Sequence, residues 1–265
     1  MTPNNPTEQR EKIADACEVM ATRLLEASTT LRGMPDVVAA VALARCLQRH
    51  RAIKRLVVAG FGDEAAALLR GLGRDTQRLE IIARNPGQRV AFEIRWYEEI
   101  IQDLGNLAAK AGGVPGTLAS DLREFVRARR ADIAKLKTKH GLTGRSPRFP
   151  PDGLNAAIAV GQPDDEIDYE LSTDASHSGF LAMHRYLRAT DATTVEIHVG
   201  DISAEYGQAV LDRATRYLSR AIAATAALLD DPGAETYETF AAGVAVKLDE
   251  TRAAEEAAPP PDRQS

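Results

Sequence analysis

The feature that most constrains the fold is the spacing of apolar residues, which recur at steps of three and four along most of the chain. Ile13, Cys17, Met20 and Leu24 carry the first run, and similar runs follow as far as His140. Such steps place apolar side chains on one face of an α-helix. Turn signals interrupt the pattern at Gly33, Gly60-Phe61-Gly62, Asn85-Pro86-Gly87 and Gly112-Gly113. The sequence therefore predicts an all-α, multi-helix bundle.

The stretch from Leu142 to Pro163 interrupts the helical pattern with several prolines and glycines, and it predicts one long loop. A shorter helix is predicted around Asp165–Leu171, and another helix follows the next polar residues and ends at about Leu187. Residues 193–199 alternate apolar and polar side chains, so they are the one strand candidate, which needs a hairpin partner. At most one short strand or hairpin is therefore expected.

Two more helices are predicted near the end of the chain, from Ser203 to about Leu229 and from about Ala234 to Thr251. We predict a single helical domain over residues 9–251, with the long loop at about 142–163. Residues 1–8 and 252–265 are predicted to be disordered, since the tail is rich in proline and charge.

Composition restricts the function classes. The net charge of −5 argues against a general polyanion binder. Cys17 and Cys46 fall on separate predicted helices, which favours buried thiols in a reducing compartment over a disulfide. The first residues lack the basic-then-apolar pattern of a signal peptide, and no apolar run approaches about 18 residues. These observations predict a cytoplasmic protein that does not enter a membrane.

Polar side chains are densest between Tyr169 and His177, a segment that also contains Ser172 and Asp174. Histidine titrates near neutral pH, so His177 is a candidate general acid or base, with Ser172 and Tyr169 as further catalytic candidates. A Ser-His-acid triad lacks its strand–turn–helix context here. Asp174 and His177 lack the further ligands that a metal needs. The sequence predicts no metal and no cofactor.

Three arginines, Arg70, Arg74 and Arg78, are spaced four residues apart and form one stripe on the third predicted helix, opposite its apolar face. This stripe is either a solvated, salt-bridged face, or an anion site or buried network involving Asp75. The glycines at positions 71 and 73 indicate close approach of another backbone, or a bend, beside the arginines.

Charge is strongly segregated in the middle of the chain. A basic run from Arg123 to Arg148 is followed by an acidic stretch from Asp152 to Asp174. The simplest interpretation is that the two blocks neutralise each other. The basic run lacks interleaved aromatic residues, which argues against nucleic acid, although that partner stays open.

The segment from Arg45 to His50 matches the Arg-x4-to-6-His pattern of helical ribonucleases of the HEPN type. Such a match is weak in a chain with many arginines. His50 falls on the apolar stripe of its helix, which predicts a core histidine instead of a catalytic one.

Three segments together resemble an uncharacterised all-helical bacterial family, a domain of unknown function. Its pattern is a Leu-x-Arg-x-x-x-Glu helix, an Asn/Asp-Pro-x-x-Arg turn and a Tyr-x-x-Leu-Ser-x-x-x-His stretch. Here these are Leu68–Arg74, Asn85–Arg89 and Tyr169–His177, with Leu171 and Ser172 shifted by one within the last motif. Arg74 stands where the family tends to have Glu, and Asp75 is a candidate substitute. The resemblance implies a bundle in which the Arg70 helix meets the Tyr169–His177 segment, and it supplies no reaction.

Two functions follow. The leading hypothesis is a cytoplasmic helical protein that acts through binding or assembly, with a protein partner or a second copy of itself. The alternative is a hydrolase on a phosphate-containing substrate such as RNA. In that hypothesis Arg70 or Arg89 holds phosphate and His177 is the acid or base. Arg74 and Asp174 complete the predicted binding residues.

Overall fold

The computed structural model describes residues 5–28, 34–110, 118–142, 187–189, 195–197 and 204–257. Its helices are α1 (Pro6–Ala27), α2 (Met34–Val58), α3 (Gly62–Arg84), α4 (Arg89–Lys110), α5 (Leu118–Lys139), α6 (Ala204–Leu228) and α7 (Ala234–Glu256), with a 3-10 turn at Pro86–Gln88. These helices confirm the predicted all-α bundle. Among the described helices, none combines the length and the apolar content needed to cross a bilayer.

The main core is built by α1, α2, α3, α6 and α7, with α6 in contact with all four others. Its largest fully buried side chains include Leu43, Leu72, Leu79 and Leu218. Burying each such side chain stabilises the fold by about 1.5–3 kcal/mol. Helices α4 and α5 form a separate pair around a small cluster of their own (Ile94, Ile101, Val126 and Ile133).

Buried ion pairs fix how the helices of the main core are arranged. Arg10 of α1 is only 3% exposed, and its guanidinium donates to Asp212 of α6 at 3.0 Å and to Glu255 of α7. A second pair joins α6 to α3, because Arg220 donates to both carboxylate oxygens of Glu80, at 2.9 and 2.6 Å. Removing one partner of a buried pair is strongly destabilising, so these contacts specify the packing of α6.

The helix ends differ from the predicted ones. α1 begins at Pro6, where the Asn5 side chain accepts a hydrogen bond from the Thr7 amide, so three residues predicted to be disordered are helical. α7 continues to Glu256, beyond the predicted end at residue 251, and its last turn carries Glu255 to Arg10. Asp63 lies in the first turn of α3, where a negative charge interacts favourably with the helix dipole.

The strand candidate is confirmed as half of an antiparallel hairpin. β1 (Leu187–Ala189) pairs with β2 (Val195–Ile197), with Leu187 opposite Ile197. Leu187 was predicted to end a helix, but it is the first residue of β1. β1 supplies the hydrogen-bonded neighbour that the backbone of β2 needs. The predicted loop at 142–163 lies outside the described residues apart from Leu142.

Candidate functional site

The structure describes only part of the predicted site. Tyr169, Ser172, Asp174 and His177 lie outside the described residues, whereas Arg70, Arg74 and Arg89 lie within them. The predicted meeting of the Arg70 helix with the Tyr169–His177 segment stays a prediction.

The arginine stripe of α3 does not lie wholly opposite the apolar face. Arg78 is 6% exposed, and its guanidinium donates to Glu99 of α4 at 2.8 Å. Arg70 and Arg74 are half-buried. The expected outward stripe is wrong at Arg78, because the packing of α4 against this end of α3 covers it and supplies a carboxylate.

Asp75 of α3 lies at the centre of a cluster of guanidinium groups, and its side chain is fully buried. Arg49 of α2 donates to Asp75 Oδ2 and, at 2.7 Å, to the Gly71 carbonyl oxygen. Arg45 Nε lies 3.4 Å from the same carboxylate oxygen, and Arg74 Nε lies 3.8 Å from Oδ1. We call Asp75, Arg45, Arg49 and Arg74 the Asp75 cluster. The network around Asp75 thus includes Arg74 of α3, and most of its contacts come from Arg45 and Arg49 of α2.

The glycines of α3 make room for two side chains that cross the helix. A Cβ on Gly71 would stand 3.0 Å from Cζ and Nε of Arg49, and a Cβ on Gly73 would stand 3.1 Å from Cζ of Tyr217. The predicted approach of another backbone, or a bend, is therefore wrong at both positions, because side chains of α2 and α6 occupy the space. The helix runs unbroken through both positions.

Two buried polar atoms of the Asp75 cluster have no hydrogen-bond partner among the described residues. They are Oδ1 of Asp75 and Nε of Arg74. Their separation of 3.8 Å is too long for a direct hydrogen bond. Leaving a buried donor or acceptor unsatisfied costs about 1–3 kcal/mol, so both atoms favour a bridging polar group.

Arg89 lies at the start of α4 and pairs with Asp36 in the first turn of α2, at 3.1 Å. Residues 36 and 45 are about 14 Å apart along the helix axis. Arg89 therefore ties the beginnings of two helices together and lies away from the Asp75 cluster.

His50 is a core residue, as its place on the apolar stripe predicted. Its side chain is fully buried; Nδ1 lies 3.0 Å from Glu18 of α1, and Nε2 lies 3.2 Å from Thr215 of α6. Thr215 donates its own hydroxyl proton to the Leu211 carbonyl, so its oxygen is left to accept from Nε2. His50 thus joins three helices, and this argues against the nuclease interpretation of the Arg45–His50 pattern.

The pKa of Glu18, whose carboxylate faces His50, is set by its neighbours. Burial raises the pKa of Glu18, but hydrogen bonds with His50 and Arg51 outweigh burial and lower that pKa below its ordinary value. Glu18 therefore stays ionised at neutral pH, and it accepts from Arg51 Nε at 3.2 Å.

The thiol of Cys46, which lies next to the Asp75 cluster, is unreactive at neutral pH. Burial raises the pKa of Cys46 to about 12, with a further contribution from the Asp75 charge. Its Sγ lies 3.9 Å from the Thr76 hydroxyl. A fully buried thiol with this pKa is not a nucleophile at neutral pH.

Two members of the cluster, Arg45 and Arg49, were not predicted as binding residues. Their spacing of four residues places them on one face of α2, but no local pattern reveals which helix that face meets. As a group, the cluster offers guanidinium donors and one carboxylate, which suits recognition of an anion. Within the described residues, no group of three or more His, Cys, Asp and Glu side chains could hold a metal ion.

No protein-family model, curated protein or solved structure matches the chain.

Proposed function

We propose that this chain is a helical binding protein whose α2–α3 face holds an anionic group of its ligand, with a phosphate-bearing ligand as the favoured class. The single observation that carries the proposal is the charge imbalance of the Asp75 cluster. Three guanidinium groups lie within 4 Å of one fully buried carboxylate. The cluster therefore has an excess of two positive charges on this face.

A structural ion pair alone does not account for this arrangement. Arg49 by itself satisfies one oxygen of Asp75, whereas Arg45 and Arg74 make only the longer contacts of 3.4 and 3.8 Å. Their side chains are 38% and 42% exposed, so their remaining donors face solvent. Asp75 acts in this proposal as the group that orients the guanidinium forks toward a ligand.

The guanidinium group favours phosphate as the ligand group. Its planar fork donates two parallel hydrogen bonds to phosphate or carboxylate oxygens, and such charge-assisted bonds are about twice as strong as neutral ones. A phosphate oxygen is also an acceptor for the buried Arg74 Nε, and a phosphate hydroxyl or bound water is a donor for Asp75 Oδ1. One bound anion would satisfy both atoms.

Calorimetric titration with inorganic phosphate and with a phosphate monoester tests the proposal. We expect Arg74→Gln and Arg45→Gln each to weaken binding by about tenfold, or 1.4 kcal/mol. Arg252→Gln is the matched control, since it removes the same charge from an exposed side chain of α7. Equal affinities in all three variants, or no binding by the wild-type protein, would contradict the proposal.

The hydrolase hypothesis makes a separate proposal about His177. None of the side chains of the Asp75 cluster is a histidine, so catalysis at this face needs an acid or base from elsewhere in the chain. If His177 supplies it, His177→Ala gives a folded protein that has lost cleavage of a fluorogenic RNA. If the wild-type protein does not cleave the RNA and His177→Ala only lowers its stability, the result supports a binding function without catalysis.

A further inference from the structure

A second basic site lies in a groove between α4 and α5, apart from the Asp75 cluster. Helix α5 contributes Arg123, Arg127 and Arg130, and α4 contributes the amides of Gln102 and Asn106. Val126 and Ala108 supply the apolar part of the lining. The groove encloses about 360 Å³, within the size range of small-ligand sites.

The charges of this groove are unbalanced. Within the described parts of the chain, no carboxylate lines it and no acidic side chain forms an ion pair with these three arginines. Like charges at spacings of three and four residues on a helix repel one another. The groove therefore concentrates positive charge without an internal counter-charge.

A neighbouring groove along the same two helices shows the opposite arrangement. Its charged lining residues are Arg95, Glu98, Glu99, Lys137 and Arg130, and Arg130 is shared with the first groove. Lys137 pairs with Glu98, and Arg95 Nε lies 3.3 Å from Glu99. Among the described residues, carboxylates therefore pair with cations in one groove and line none of the other, so the basic character is stronger at the Arg123 end of α5.

The position of Gly105 adds to the arrangement. The Nη2 atom of Arg130 lies 3.4 Å from where a Cβ on Gly105 would stand, so the guanidinium lies against the surface of α4. Glycine weakens a helix interior, and here its absent side chain leaves the space that Arg130 occupies. Gln102 donates to Asn106 at 3.2 Å, and the second amide proton of Gln102 and the amide protons of Asn106 are donors available to a ligand.

We propose that this groove binds a linear oligophosphate. Positions 123, 127 and 130 advance by about 6 and 4.5 Å along the helix axis, so the row suits several linked anionic groups better than a single one. Each guanidinium fork can take two phosphate oxygens. Among the described residues no aromatic side chain lines the groove, so they offer no surface on which bases stack. The ligand is recognised by its phosphates, which belong either to a free chain or to a nucleotide.

Calorimetric titration with inorganic tripolyphosphate tests this proposal. We expect Arg127→Gln and Arg130→Gln each to weaken binding by about tenfold, and the double variant to weaken it further. Arg129→Gln is the matched control, because that arginine is on the same helix but pairs with Asp132 at 3.0 Å and lies over the Phe125 ring. The control variant should bind within about twofold of wild type, and circular dichroism should show the same helical content in all variants.

Competing ligands separate the sources of the phosphates. Equal binding of tripolyphosphate and ATP supports a site for the phosphate chain alone, and tighter binding of ATP supports a nucleotide. The proposal is overturned if citrate binds as tightly, if only a single-stranded RNA oligonucleotide binds, or if Arg127→Gln changes nothing. Tripolyphosphate binding that falls in Arg127→Gln and Arg130→Gln supports this groove, whereas binding that falls only in Arg45→Gln and Arg74→Gln places the ligand at the Asp75 cluster and overturns this proposal.

Discussion

Replacing Gly73 by alanine tests how α3 packs against α6. Gly73 is buried in the interior of α3, and a Cβ there would stand 3.1 to 3.4 Å from three ring carbons of Tyr217. The Tyr217 side chain is itself buried, and the backbone carbonyl of this residue accepts a hydrogen bond from Thr76 at 3.2 Å. The ring therefore has little freedom to move away from an added methyl group.

Two terms of opposite sign set the magnitude. Alanine is better than glycine in a helix interior by about 1 kcal/mol. Forcing a methyl group into a packed interface costs about 1–3 kcal/mol. The free energy of unfolding of Gly73→Ala is therefore expected to lie between the wild-type value and about 2 kcal/mol below it.

Gly243→Ala isolates the packing term. Gly243 lies in the interior of α7, and a Cβ there would meet nothing within 4 Å. This substitution should raise the free energy of unfolding by about 1 kcal/mol through helix propensity alone. Because the propensity term is common to both variants, their difference of about 1–3 kcal/mol measures the contact with Tyr217.

Urea denaturation monitored by circular dichroism gives both values, with the wild-type slope as a check that unfolding stays two-state. Thermal melts should separate the two variants by about 2–4 °C for each kcal/mol. If Gly73→Ala stabilises the protein as much as Gly243→Ala does, then Tyr217 does not lie on α3 as described.

Three further predictions concern the buried charges and thiols. Glu18→Gln should lower the free energy of unfolding by about 1–3 kcal/mol at neutral pH. Although burial raises the pKa of Glu18, His50 and Arg51 lower it overall. The wild-type protein should therefore lose this stability as pH falls below the ordinary glutamate value of about 4.3, whereas Glu18→Gln should not; urea midpoints across acidic pH check this. Arg10→Ala should cost about 3–5 kcal/mol, because it leaves Asp212 buried without its partner. Burial raises the pKa of Asp212, so the loss measured by urea denaturation should shrink as pH falls and that carboxylate protonates; an equal loss at every pH would contradict this account. Cys17 and Cys46 each have a pKa of about 12, raised by burial, and should react with an aromatic disulfide reagent only after urea unfolds the protein. Rapid reaction of the native protein would show that the thiols are not buried.

Local sequence predicted some residues of the Asp75 cluster and missed others, because the missed contacts depend on how separate helices pack. The row of arginines on α3 follows from spacing within one helix, so it was predictable, and Asp75 was recognised as a candidate partner from its place beside Arg74. Arg49 was missed because its role depends on the packing of α2 across Gly71. The outward direction assigned to Arg78 was wrong for the same kind of reason, since α4 supplies Glu99 from another part of the chain.

The sequence by itself determined the helices, their approximate ends, the core position of His50 and the hairpin strand. These depend on hydrophobic period and turn residues, which act over a few residues. Only the tertiary structure decided which charges meet, because ion pairs such as Arg10 with Glu255 join residues far apart along the chain. It also decided that, among the described residues, carboxylates line one groove between α4 and α5 and not the other. A helix face carries its charges in its own sequence, but the partners of those charges depend on how the helices pack.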